Sequence, residues 1–136
     1  MAGEKVLVTG ASGFIAKHVA AELIRQGYAV QVTLRNLDRA EEVRRAIGNA
    51  GATSSEVKFF QADLLSDAGW DEAVNGCTYV VHVASPFPIK HVKVADEIIR
   101  PAREGALRVL KAATKAKVKR VVLTSSIVAI TMPWPE

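Results

Sequence analysis

The chain has 136 residues, a length that suits one domain with a sizeable hydrophobic core. Hydrophobic residues make up 49% of it and the mean hydropathy is +0.14, which fits strands that are buried on both faces of a parallel sheet. No apolar run approaches membrane-spanning length, no signal peptide is recognisable, and the single cysteine, Cys77, has no partner for an internal disulfide. These features exclude a disulfide-rich secreted domain and a membrane protein, and we expect a cytoplasmic protein.

The first predicted strand, over 5–9, runs into a glycine turn and then into a helix predicted over 13–26. A strand, a glycine turn and a helix start are the arrangement that binds the phosphates of a nucleotide. Gly10 lets the chain turn sharply, Gly13 has no Cβ and lets a pyrophosphate approach the backbone, and Ala16 keeps the helix close to the sheet. The stretch predicts a dinucleotide site, and the alternative is an ordinary turn with two convenient glycines.

Four further strands are predicted, over 29–34, 57–61, 79–84 and 120–123. Three further helices are predicted, over 38–47, 67–75 and 94–116. We expect Asp38 to cap the first of these helices and Gly48 to end it. Pro101 lies inside the last one and should kink it or divide it into two pieces.

Strands therefore alternate with helical connections along the whole chain. Each strand is a nearly continuous apolar run, and each connection is long enough for a crossover between parallel strands. The pattern predicts an α/β fold in one domain over 1–136, a Rossmann-type doubly wound parallel sheet with helices on both faces. Right-handed crossovers and the position of the glycine turn predict the strand order 3-2-1-4-5.

In such a sheet, ligands bind at the carboxyl ends of the strands, near the point where the strand order reverses. The residues at those ends should line one crevice. The candidate cofactor-binding residues are Gly10, Ser12, Gly13, Phe14, Ile15, Arg35, Asp63, Leu64, Val83, Ala84, Ser85 and Thr124.

Arg35 determines the expected choice of cofactor. NAD-binding sites place an acid at the end of the second strand, where it accepts hydrogen bonds from the ribose hydroxyls. Here that position is a cation, and a guanidinium suits a 2′-phosphate. The sequence therefore favours NADP(H) over NAD(H), with Arg39 as a candidate second contact, and the alternative is a solvated arginine at a strand end.

Several other polar or aromatic residues have an ordinary structural interpretation beside a functional one. Asp63 can accept a hydrogen bond from an adenine amino group or can be a turn residue. His82 is interpreted as a core histidine, and Trp70 as a residue that packs a short helix onto the sheet. His18 and His91 have no spacing that indicates a metal site, and one cysteine leaves no zinc pattern, so we expect no metal.

The net charge of +4 raises the question of nucleic-acid binding. The cations fall in two local groups, one over 35–45 and one over 115–120. The second group resembles a localisation signal, but cations at the end of a predicted helix also complement its dipole, and we favour that interpretation. We expect no nucleic-acid partner.

Several stretches together resemble a known family. They are residues 9–16 (TGASGFIA), 62–64 (ADL), 76–77 (GC), 82–87 (HVASPF) and 123–126 (LTSS). In this order the chain resembles the N-terminal part of an extended short-chain dehydrogenase/reductase, also called the NAD-dependent epimerase/dehydratase family. The nearest branch contains dihydroflavonol reductase, cinnamoyl-CoA reductase and the fungal aldehyde and methylglyoxal reductases. The resemblance implies NADPH-dependent reduction of a carbonyl, with Ser126 as the catalytic serine that hydrogen-bonds the substrate. The alternative for Ser126 is a hydroxyl that closes a strand end.

One family feature is missing from the sequence. The family's acid is a tyrosine in a Tyr-x-x-x-Lys pair on the helix after strand five, but Tyr28 and Tyr79 are followed four residues later by Val32 and Val83. The chain therefore looks truncated after strand five, without that helix and without the C-terminal part that holds the small carbonyl substrate. We expect this chain alone to be inactive, and to self-associate or to pair with the missing part. The alternative function is a non-catalytic nucleotide-binding module, a redox sensor or an assembly partner.

Overall fold

The computed structural model describes residues 3–53, 56–86 and 94–131. Its strands are β1 (Lys5–Val8), β2 (Ala29–Leu34), β3 (Lys58–Gln61), β4 (Tyr79–His82) and β5 (Arg120–Leu123). Its helices are α1 (Phe14–Arg25), α2 (Ala40–Asn49), α3 (Trp70–Val74), α4 (Asp96–Lys115) and α5 (Val128–Thr131), and a 3₁₀ turn over Leu37–Arg39 leads into α2.

The five strands form one parallel sheet in the order β3-β2-β1-β4-β5. The predicted fold class and strand order are confirmed. The chain moves outwards from β1 to β3 and then crosses back to β4 on the other side of β1, so the order reverses between β1 and β4. The carboxyl ends of these two strands therefore flank the crevice in which doubly wound sheets bind ligands.

The hydrophobic core lies in two layers, one on each face of the sheet. Helices α1 and α2 cover one face, where Ala20 of α1 and Ile47 of α2 belong to the same buried cluster as Val8 and Val32 of the strands. Helices α3 and α4 cover the other face, where Trp70 and Val109 belong to the same buried cluster as Leu7 and Val80 of the strands. Because β1 contributes to both layers, its side chains are buried on both sides, which explains its continuous apolar run. In the described part of the chain, no helix combines the length and apolar composition needed to cross a membrane.

The predicted start and end of α2 are wrong. Asp38 does not cap α2, whose N-cap position is Arg39 without a side-chain hydrogen bond. Asn36 caps the preceding 3₁₀ turn instead, where its side-chain oxygen accepts a hydrogen bond from the Asp38 N–H at 2.9 Å. Helix α2 then begins at Ala40 and runs past Gly48 to Asn49. The chain leaves the helix through Gly51, whose φ of +79° is left-handed.

The predicted lengths of α3 and α4 also need correction. Helix α3 begins only at Trp70, because Gly69 before it has a left-handed φ of +86°. Helix α4 is not divided at Pro101. Pro101 lies in its second turn, where the missing N–H costs the helix one backbone hydrogen bond, and packing of α4 on the sheet maintains the remainder.

Cys77 is buried between α3 and β4, as expected of a small core residue. The Gln31 amide donates to the Ala73 carbonyl at 2.7 Å and lies 3.4 Å from the Cys77 sulfur. Burial raises the pKa of the Cys77 thiol to about 11, so it is protonated at neutral pH and is not a nucleophile in the native state.

The Thr9 hydroxyl joins the carboxyl ends of β1 and β4. Its oxygen accepts hydrogen bonds from the Val83 and Ala84 N–H groups, both at 3.1 Å, and lies 2.7 Å from His82 Nδ1. Since the oxygen already accepts twice, its own proton goes to Nδ1. His82 is therefore the neutral tautomer that carries its proton on Nε2. Burial lowers the pKa of His82.

Gly10 lets the two strand ends approach each other. Its φ is +73°, and a Cβ built on it would lie 2.9 Å from Ala84 Cβ and 3.0 Å from Ala84 Cα. Both the turn and the contact with the neighbouring strand end therefore require glycine at this position.

We predict that Gly10→Ala lowers the free energy of unfolding by about 2 kcal/mol or more, from left-handed strain plus overpacking against Ala84. Denaturant unfolding measures it. Gly27→Ala is the matched control: Gly27 has a φ of +87° but no atom within 4 Å of an added Cβ, so only the strain remains. Equal losses in the two variants would contradict the proposed steric conflict.

We predict that acidification through pH 6.5 destabilises the fold through His82. Burial places the folded pKa of His82 below its unfolded value, so the unfolded state binds more protons than the folded state in this range. The free energy of unfolding therefore decreases as the pH is lowered. In His82→Asn, which keeps an acceptor for the Thr9 hydroxyl without a titrating ring, the free energy of unfolding should depend less on pH between about 5.5 and 7.5. Parallel pH curves for the two proteins would show that His82 does not contribute.

Candidate functional site

A cavity of about 410 Å³ opens at the carboxyl ends of the strands, at the reversal of strand order. Most of the predicted cofactor-binding residues line it: Gly10, Ser12, Gly13, Phe14, Ile15, Arg35, Leu64, Val83, Ala84 and Ser85. Asp63, Thr124 and Ser126 do not. Four further lining residues were not among the predicted ones: Ala16, Thr33, Ala62 and Trp70.

Thr33 is the most informative of the residues that sequence reasoning missed. Its buried hydroxyl accepts a hydrogen bond from the Gly10 N–H at 3.1 Å, and its carbonyl accepts one from the Ala11 N–H at 3.0 Å. Thr33 therefore fastens the glycine turn to β2. The available signal was a polar residue next to the last position of β2, where the carboxyl end of the strand meets the glycine turn.

The N-terminus of α1 faces this cavity. Gly13 caps the helix in an extended conformation without a side-chain hydrogen bond, and the first turn contains no acidic residue. The N–H groups of the first helical turn have no partner within the helix, so they and the helix dipole favour an anion. A Cβ on Gly13 would lie 3.3 Å from the Gly10 carbonyl oxygen and would cover this backbone. The turn thus presents uncovered backbone N–H groups to the cavity, and such groups favour a phosphate or another anion.

Arg35 is the cation of the cavity. It follows β2, its side chain is exposed, and Gln61 fixes its backbone by donating to its carbonyl at 3.0 Å. Among the described residues, no carboxylate forms an ion pair with its guanidinium. The arrangement leaves one guanidinium open to an anionic ligand.

Arg39, the candidate second contact, is engaged elsewhere. Its guanidinium donates to both carboxylate oxygens of Glu42 at 2.9 and 3.0 Å, and Lys17 donates to the same carboxylate at 3.0 Å. These two cations lower the pKa of Glu42 to about 2. Arg39 does not line the cavity, so a ligand phosphate would have to compete with Glu42 for it.

The segment after β3 forms an apolar wall of the cavity. Leu64 and Trp70 line it, and the Trp70 indole N–H donates to the carbonyls of Asp63 and Ser66 at 3.2 and 3.0 Å. The Asp63 carboxylate accepts a hydrogen bond from the Leu65 N–H at 2.9 Å, which is the turn role considered for it. Trp70 packs in the core as expected and also faces the site.

Ser126 and Thr124 lie beyond the cavity. The Ser126 hydroxyl accepts a hydrogen bond from the Val128 N–H at 3.2 Å at the start of α5, and the Thr124 N–H donates to the His82 carbonyl at 3.0 Å. Ser126 therefore contacts the first turn of α5, and neither the catalytic role nor the strand-end role considered for it is tested by this contact.

The two tyrosines lie at the other end of the sheet. Tyr28 directly precedes β2 and Tyr79 begins β4, with their ring centroids 6.3 Å apart. No tyrosine lines the cavity, and the described residues include no cluster of His, Cys, Asp or Glu that can hold a metal ion.

Comparison with known proteins agrees with the fold and with the resemblance seen in the sequence. The profile of the NAD dependent epimerase/dehydratase family matches residues 6–131. Dihydroflavonol 4-reductase from Dianthus caryophyllus is 40% identical over 124 residues, which are 91% of this chain and 34% of that protein.

Two solved structures superpose on the chain at similar quality. Yeast methylglyoxal/isovaleraldehyde reductase with NADPH is 30% identical with a TM-score of 0.77, over 92% of this chain and 38% of that one. UDP-glucose 4-epimerase from Bifidobacterium longum with NAD⁺ and UDP is 28% identical with a TM-score of 0.75, over 96% and 39%. The chain thus spans a little over a third of the length of these proteins. The match to the family profile covers nearly all of the chain, which therefore belongs to the NAD dependent epimerase/dehydratase family.

Proposed function

We propose that this chain is the NADP(H)-binding part of a cytoplasmic oxidoreductase that reduces an aldehyde or ketone by hydride transfer. The observation that best supports this proposal is that one cavity, at the reversal of strand order, contains both Arg35 and the N-terminus of α1, which has no side-chain cap. The family membership supports an enzyme that uses a nicotinamide cofactor, and two of the three relatives named above are reductases, which supports the same reaction class.

The glycine turn would hold the pyrophosphate. Gly13 leaves the backbone accessible, and the first-turn N–H groups of α1 supply hydrogen-bond donors without an acidic side chain that would repel the anion. Thr33 and Ala84 fix the position of Gly10 from both sides, so the turn is formed before a ligand arrives. Preorganisation of this kind lowers the ordering cost of binding.

Arg35 would select the phosphorylated cofactor. Solved relatives are described with NADPH and with NAD⁺, so the likeness alone does not choose between them. A guanidinium at the end of β2 attracts a 2′-phosphate, whereas an acid there would accept from a free ribose hydroxyl. The absence of a competing carboxylate on Arg35 among the described residues supports NADP(H).

The bound cofactor would supply the hydride to the carbonyl carbon of the substrate. This chain's own residues would bind and orient the cofactor, and the Ser126 hydroxyl, whose oxygen accepts from the Val128 N–H, would donate its own proton in a hydrogen bond to the substrate oxygen. The proton that the product alcohol needs has no tyrosine donor in the cavity. A further part of the polypeptide or another chain would provide that donor and the substrate pocket. The exposed apolar side chains on and after β5 (Val122, Leu123, Ile127, Val128 and Ile130) support association on that side.

The second candidate function is a nucleotide-binding module that senses or assembles without catalysis. The observation in its favour is that Ser126 caps α5 and that neither Tyr28 nor Tyr79 reaches the cavity. Both candidates share the nucleotide site, so binding measurements test their common part and an activity assay separates them.

We predict that Arg35→Asp weakens NADP⁺ binding about 10-fold or more and spares NAD⁺, since a hydrogen bond to a charged group is worth about 1.5–3 kcal/mol. Titration calorimetry with both nucleotides measures it.

Two further variants serve as references for the nucleotide affinities of Arg35→Asp. Arg45→Asp makes the same charge change at an exposed position of α2 outside the cavity and should leave both affinities near those of the wild type. Gly13→Val should weaken both nucleotides together while the fold persists, because its φ of −80° suits any residue and the Gly10 carbonyl oxygen, 3.3 Å from an added Cβ, has to shift only slightly. Unchanged NADP⁺ affinity in Arg35→Asp would show that the 2′-phosphate lies elsewhere.

We predict that the purified 136-residue chain binds NADPH but does not oxidise it measurably with small aldehydes or diketones. General acid catalysis contributes typically ~10²–10⁴-fold, and no tyrosine lines the cavity to provide it. The loss of NADPH absorbance measures turnover. Turnover that Ser126→Ala abolishes would contradict this prediction and would exclude the non-catalytic module.

A further inference from the structure

Arg108, on α4, forms hydrogen bonds with the segment after β3 that provides the apolar wall of the cavity. Its side chain is half-buried at 22% exposure, Nη1 donates to the Leu64 carbonyl at 2.9 Å, and Nε donates to Asp67 Oδ1 at 2.5 Å. Both acceptors lie in the segment between β3 and α3, and Leu64 lines the cavity. One guanidinium thus fixes the backbone of a lining residue although it does not itself line the cavity.

Gly105, one turn earlier on α4, packs against the same residue. A Cβ at this position would lie 2.9 Å from Leu64 Cβ and 3.3 Å from its Cδ2. The first of these atoms is not the mobile end of a side chain, so an added methyl group has to move Leu64 or the helix. Gly105 therefore sets how closely α4 approaches the wall.

We propose that Gly105 and Arg108 are positioning residues for the nucleotide site, and that α4 sets the position of the wall that Leu64 contributes. Leu64 follows β3, and β3 pairs with β2, whose end carries Arg35. The wall thus lies on the Arg35 side of the cavity, the side that would take the adenosine half of the cofactor if Arg35 binds the 2′-phosphate. This inference rests on the proposed function, since it concerns the same site.

The chain offers a matched control for Arg108. Lys115 and Asp71 form a second ion pair that ties α4 to α3, and neither residue lines the cavity. The two pairs connect the same layers of the fold, but only Arg108 bonds to the backbone of a lining residue. Arg108 is also the more buried of the two cations, at 22% against 73% side-chain exposure, so the thermal midpoints of the variants are needed to separate a loss of stability from a loss of site geometry.

The test uses the full 136-residue chain and adenosine 2′,5′-bisphosphate, a probe with the adenosine half alone. Arg108→Met should weaken binding about 10-fold, in line with loss of charge-assisted hydrogen bonds, while Lys115→Met stays within about twofold of the wild type. Arg108→Lys should recover little, because an ammonium cannot reproduce the forked geometry. Thermal midpoints are measured in parallel, and similar midpoints for the two Met variants isolate the effect on the site.

Gly105→Ala displaces Leu64 by adding a methyl group, whereas Arg108→Met removes a hydrogen bond to Leu64. The Gly105 variant therefore still tests the proposal if Arg108→Met does not fold. Alanine favours the helix, so weaker binding in a variant with an unchanged thermal midpoint reports the displaced wall rather than an unwound α4. If wild type binds the probe and either Gly105→Ala or a folded Arg108→Met binds it equally well, the positioning role is wrong and the proposed function stands. If wild type binds neither the probe nor NADP⁺, the proposed function fails and this inference fails with it.

Discussion

The contact between Gly10 and Ala84 is the constraint on which the rest of the site depends. It brings the ends of β1 and β4 within the reach of one hydroxyl, that of Thr9, which then accepts both N–H groups that follow β4. The same turn places Gly13 at the start of α1 and leaves its first-turn N–H groups facing the cavity. A larger residue at Gly10 would separate the strand ends, and the turn would lose its shape before any ligand was involved.

Arg35, Arg39 and Lys17 differ in whether a carboxylate already forms an ion pair with them. Glu42 engages Lys17 and Arg39, and its low pKa of about 2 keeps this cluster ionised at any physiological pH. Arg35 has no such partner among the described residues, so its field is directed to the cavity. These surface pairs contribute little to stability. Glu42 thus neutralises two cations that do not line the cavity, while the lining cation Arg35 has no carboxylate partner among the described residues.

The sheet and much of the site could be predicted because continuous apolar strands and a glycine turn are local patterns. The parts that could not be predicted depend on a choice between neighbouring residues with similar propensities, or on contacts between residues that lie far apart in the sequence. Asn36 and Asp38 are both good capping residues, and only the backbone geometry decides in favour of Asn36. Trp70 reaches the cavity because α3 starts late, after Gly69. Arg108 lies more than forty residues from Leu64, and no sequence pattern joins them.

Cys77 gives the molecule a built-in chemical reporter. It is the single cysteine of the chain, it is only 6% exposed between α3 and β4, and its thiol has a pKa of about 11. A thiol reagent added to the native protein therefore has to wait until α3 separates from the sheet. Under conditions where the helix closes faster than the reagent reacts, the labelling rate reports the equilibrium between closed and open forms. The rate of Cys77 labelling can thus measure the opening of α3, the helix that carries Trp70, without any introduced probe.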